Sequence, residues 1–159
     1  MIHGLIIQGI AAFFGTAAFA LLYGTPGRYY PLCALTGGVG WVLMLFLQEA
    51  LHLGVGTSTM AAAAAVTALA RCLAIYQKCP VTVFLISGII PLVPGAGVYW
   101  MAYYLIMGDL NQAAANGLSA TKAAVAIVLG ISVISELPYL HMKKKPDKNQ
   151  ENNRVGGGD

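Results

Sequence analysis

The chain has 159 residues, of which 58% are hydrophobic and 9% charged, whereas a soluble globular chain carries roughly a quarter charged residues. Before residue 136 the full charges are Arg28, Glu49, Arg71, Lys78, Asp109 and Lys122, and the apolar stretches between them have the length, about 20 residues, that a bilayer requires. A soluble enzyme or a nucleic-acid-binding module is therefore excluded, and an all-α, polytopic membrane bundle with the lipid bilayer as its solvent is expected.

In chain order, the first span runs from Ile2 to Tyr23. It lacks a preceding Lys or Arg and exceeds the length of a signal-peptide core, so it reads as a retained helix. Gly24-Thr25-Pro26-Gly27 closes it with residues that oppose continued helix. The second span covers about Pro31 to Gln48, with Pro31 suited to a first helical turn, and the third about Val55 to Tyr76. A fourth runs from Pro80 to near Met107 and a fifth from about Ala113 to Leu137, stopped by Pro138. Residues 1–140 thus form a membrane domain, and 141–159, opening on Lys143-Lys144-Lys145 and rich in Asn and Gly, form a polar tail expected to be disordered.

Lys and Arg in short loops stay on the cytoplasmic side. Placing the lysine tail inside and counting five crossings puts the N-terminus outside, Arg28, Arg71 and Lys78 inside, and Glu49 and Asp109 outside. An even number of helices would break this agreement. The same orientation sets Tyr23, Tyr29, Tyr30, Tyr76 and Tyr139 at the inner interface. Gly9, Gly15, Gly37, Gly38, Gly40 and the run Ala61–Ala65 supply small surfaces for close helix packing.

Chemistry concentrates in Pro91-Leu92-Val93-Pro94-Gly95-Ala96-Gly97, inside the fourth segment. The prolines remove two backbone donors and the glycines relax the chain, so the helix is expected to break. At about 1.5 Å per residue from Pro80 the break starts roughly 16 Å deep, near the middle of a hydrocarbon layer of about 30 Å. Backbone groups freed there need protein or a watered cavity. The half-helix beginning near Pro94 would direct free N–H groups and a positive dipole at an anion, with carbonyls near Ile90 facing an ammonium, a cation or water; the other reading is a proline kink sealed by its neighbours. Lys122, the one full charge well inside the fifth span, either neutralises a substrate carboxylate or snorkels outward. Arg71 is expected to snorkel inward. Glu49 and His52 have metal-pair spacing without the second pair that a bundle site uses, and Cys33, Cys72 and Cys79 have no zinc or disulfide spacing. No cofactor is implied, and no set of enzyme motifs is present.

Gly88-Ile89-Ile90-Pro91-Leu92-Val93-Pro94-Gly95, followed by Tyr99 and Trp100, resembles the signature of the threonine/serine exporter family, in its C-terminal membrane half. That family carries two membrane halves on one polypeptide or on two proteins, the shorter type working beside a larger partner, and split pairs are associated with small carboxylates such as succinate as well as amino acids. The resemblance implies a larger membrane subunit as partner, a small carboxylate as substrate, a bacterial inner-membrane location and a role for Pro91, Pro94 and Gly95, to which position adds Ala96, Gly97 and Lys122. A scaffold subunit that only stabilises a transporting partner, or a homo-oligomeric channel, are the other readings of the same features.

Overall fold

The computed structural model describes residues 2–136; the tail assigned to 141–159, the stop at Pro138 and the placing of Tyr139 lie outside them. All the regular secondary structure among the described residues is helical, in the order α1 (Ile2–Leu22), α2 (Tyr30–Ala50), α3 (Val55–Gln77), α4 (Thr82–Ile89), α5 (Gly95–Ile106) and α6 (Leu110–Glu136). Single turns of 3-10 helix at Gly27–Tyr29 and Ile90–Leu92 precede α2 and follow α4. Four helices, α1, α2, α3 and α6, are long and apolar enough to cross a bilayer, and α4 with α5 makes a fifth span bent by 42°.

The helix ends follow local chemistry. Gly24 takes φ +66° and the amide of Thr25 returns to the carbonyl of Ala20, which closes α1 in a left-handed cap that glycine adopts without cost. Lys78 ends α3 in the same conformation, with Cys79 bonded back to Ala74. The last helix begins at Leu110, three residues before the sequence reading, because the Asp109 carboxylate accepts a hydrogen bond from the amide of Gln112 at 3.1 Å and caps the first turn.

Small residues let the helices approach. A Cβ on Gly37 would collide with the Thr16 side chain, one on Gly40 with Val66, and one on Gly88 with Thr36 and Val66. These contacts knit α1, α2, α3 and α4 into one bundle, with Ala20, Tyr29, Cys33, Ala70, Ala74 and Phe84 buried at one end and Met44, Ala62, Ala63, Val66, Leu92 and Ile127 in the other cluster. Tyr23 and Tyr76 are exposed, while the Tyr29 ring is buried edge-on to Phe84, with centroids 5.6 Å apart, and has the Arg28 guanidinium over it at 4.5 Å.

The second half of α6 lies along α3, where Gly130 meets the Met60 carbonyl and the Arg71 guanidinium donates to the carbonyl of Ile134. Its first half leaves α3 and pairs with α5, through Gly97 on Ala120 and Gly117 on Met101. No residue of α5 is buried. The hairpin α5–α6 therefore joins the bundle through the lower part of α6 and the break.

Replacing Gly37 or Gly40 by valine should lower stability by about 1–3 kcal/mol each, the usual cost of overfilling a packed core. Gly15→Val, where a Cβ meets nothing within 4 Å, should leave it unchanged. Size-exclusion profiles after a heating series in detergent measure the difference.

Candidate functional site

The break falls where the residues demand it. Pro91 has no N–H to continue α4, so the chain tightens to one 3-10 turn and Val93 bonds back to Ile90 at 3.1 Å. Val93 is extended, Pro94 takes φ −77° and ψ 53°, and helix resumes at Gly95. The amide of Gly95 turns back to the carbonyl of Val93 at 2.7 Å, while those of Ala96 and Gly97 meet no acceptor among the described residues. Two free N–H groups at a helix start carry the positive end of the α5 dipole.

The level of the break is readable from its neighbours. Leu92 is buried against Gly40 and Val66, the central residues of α2 and α3. Pro91 lines a recess of about 260 Å³ with Gln8, Ala11, Ala12 and Trp41, and Ala12 is the central residue of α1. Three helices thus place the interruption halfway along the bundle, with a hollow beside it. Gln8 and Trp41 drew no attention in the sequence. The one signal for Gln8 was an amide side chain in the first half of α1, and no spacing rule links it to residue 91.

The predicted site residues do not form a single cluster. Pro94, Gly95, Ala96 and Gly97 stand together at the start of α5, Pro91 faces α1 and α2, and Gly97 packs on α6, where its Cβ position lies 3.1 Å from the Ala120 methyl and 3.6 Å from the Asn116 carbonyl. Lys122 is elsewhere. It is exposed and lines a different recess, of about 410 Å³, with Gly54, Val55, Gly56, Thr57, Ala115, Leu118 and Ser119. Its carbonyl is 4.0 Å from the Cβ position of Gly56, at the start of α3. Its ammonium has no partner among the described residues. Arg71 is half-buried and bound to α6, and His52, at φ +49°, lies beyond the end of α2, so that Glu49 and His52 do not share a helix face.

A multi-pass helical membrane protein with one helix interrupted halfway along the bundle has the build of a transporter rather than of an enzyme. Residues 8–137 match the family model described as threonine/serine exporter, ThrE, and the chain belongs to that family. No curated protein and no solved structure matches it.

Gly95 and Gly97 separate two effects of bulk at the break. A Cβ on Gly95 meets nothing within 4 Å, so Gly95→Leu should leave thermal stability in detergent unchanged. Gly97→Leu should lower it by about 1–3 kcal/mol by forcing α5 from α6.

Proposed function

We propose that this chain is one membrane half of a secondary exporter that moves small carboxylate-bearing metabolites, threonine and serine or a dicarboxylate such as succinate, out of a bacterial cell together with a second, larger membrane subunit. The observation that carries the reading is the break at Val93–Pro94, set at mid-bundle with the Ala96 and Gly97 amides unpaired. In lipid an unmet backbone group costs several kcal/mol. A carboxylate offers two oxygens to such donors, and the α5 dipole favours its charge.

Pro91 and Pro94 hold the interruption open and Gly95 keeps its mouth clear. Ala96 and Gly97 supply the donors, and Lys122, level with the start of α3, meets the carboxylate at the outer end of its path. The orientation that accompanies this reading has the N-terminus outside and the C-terminus in the cytoplasm, so that the Lys122 recess opens outward. A second subunit is supported by α5, whose Tyr99 and Trp100 are 62% and 44% exposed: a helix with no buried residue within its own chain has room for a neighbour on most of its surface.

Counterflow of labelled threonine and succinate, in liposomes carrying the complex purified from native membranes, tests this. Gly95→Leu and Lys122→Ala should each reduce uptake at least tenfold with the complex intact. Unchanged rates in both would leave a scaffold role, uptake that needs no coupling ion would indicate a channel, and full activity of a pure homo-oligomer would overturn the need for a partner. Reporter fusions at the two termini should give an external signal at the first and a cytoplasmic one at the second.

A further inference from the structure

The recess at Lys122 has a neighbour along the same groove between α3 and α6. Gly56, Thr57 and Lys122 line both hollows; beyond them the first is lined by Ser119 and Leu118, and the second, of about 390 Å³, by Met60, Val125 and Leu129. Ser119, Lys122, Val125 and Leu129 recur at three- and four-residue spacing and so form one stripe on α6. The two helices run the same way here, since Gly56 meets Lys122 and, further along, Gly130 meets Met60 and Ala64. Because α3 is a full span, Val55–Gln77, and Lys122 is level with its first turn, the ammonium stands at the edge of the hydrocarbon layer. From Lys122 to Leu129 the second hollow runs inward for about 10 Å, past side chains that are exposed. No carboxylate lines either hollow.

We propose that this groove binds an anionic phospholipid, with the lipid phosphate on the Lys122 ammonium and one acyl chain in the apolar hollow toward Leu129. A cation at head-group level with no acid beside it attracts phosphate, and the Ser119 hydroxyl adds a donor. Below Lys122 the two hydroxyls of the lining already donate within their own chain segment, Thr57 to the Gly54 carbonyl and Thr121 to that of Gly117, so the hollow offers hydrocarbon to hydrocarbon. A soluble anion matches the first hollow and not the second, and an apolar partner helix matches the second and leaves the cation unmet; a phospholipid matches both. Choline and ethanolamine head groups carry a cation of their own, which Lys122 repels, so the site favours head groups of net negative charge. The inference goes beyond the transport reading and stands without it: the lipid holds Lys122 while no solute is bound there.

Native mass spectrometry of the complex in detergent, with phosphatidylglycerol and phosphatidylcholine of identical chains, tests the charge. Phosphatidylglycerol should be retained at least about fivefold more, the effect of one lysine at the membrane surface; Lys122→Ala should bring the ratio close to one and Lys122→Arg should preserve it. Val125→Trp, which fills the apolar hollow from an exposed position, should lower retention of both lipids at least about threefold, whereas Val128→Trp, as exposed on α6 but outside the lining, should not. Phosphatidylglycerol with a diazirine on its acyl chain should label the peptides of Met60 or Leu129, and excess phosphatidylglycerol should suppress that label while glycerophosphate, the head without tails, should not. Equal retention of the two lipids by the native complex, or a label confined to other helices, overturns the inference. Suppression by glycerophosphate overturns it in favour of a soluble-anion site, and a label that appears only after the second subunit is stripped away makes the groove a subunit interface. Each of these results leaves the transport function standing, because counterflow is not among the readouts.

Discussion

Gly40, Val66 and Leu92 meet at the middle of the bundle, and the contact can form only because residue 40 has no side chain: a Cβ there would overlap Val66 and sit 3.1 Å from the Leu92 methyl. This contact pins the tight turn after α4 between α2 and α3, and so sets the level at which the fourth span is interrupted. Lipid offers no hydrogen bonds, so a break at that level is tolerable only where protein or a cavity surrounds it. Everything proposed for function depends on that placement, because the donors at the start of α5 and the recess at Pro91 exist where the turn is held.

The helices were readable from the sequence because each is a local matter: an apolar run of sufficient length, ended by Gly24, by the Pro91–Gly97 interruption or by residues near Asp109. The depth of the break was readable too, since counting residues from Pro80 gives the same level that Gly40 and Val66 give by contact. The start of α6 lies three residues earlier than the apolar run indicates, because Asp109, a charge in the connection, also caps the first turn. What escaped is tertiary. The distance between Lys122 and the break depends on which part of α6 lies beside the start of α3, and the company of Gln8 and Trp41 at Pro91 depends on how α1 and α2 cross. Neither is written in any spacing along one helix. Tyr29 shows the same limit: the sequence places it beside Arg28, and only the crossing of the helices places Phe84 against it.

The two recesses have different electrostatic characters. The hollow beside Pro91 is uncharged and contains an amide and an indole, while the hollow beside Lys122 contains a cation and the hydroxyls of Thr57 and Ser119. A zwitterionic solute passing from one to the other would exchange contacts made with neutral dipoles for contacts made with a full charge.

The buried hydroxyls of Thr16, Thr59 and Thr67 donate to carbonyls four residues earlier on their own helices, and no buried side-chain nitrogen or oxygen among the described residues lacks a partner. Such back-bonding leaves these positions presenting methyls and bare backbone to the neighbouring helix rather than polar clasps. Against this, the Arg71 guanidinium donates from α3 to the Ile134 carbonyl of α6, so the second half of α6 is tied to α3 by a polar bond while its first half meets α5 through Gly97 and Gly117 by shape alone. The α5–α6 hairpin is thus hinged on this polar tether, and a tilt of α5 that keeps the Arg71–Ile134 bond would cost only side-chain contact.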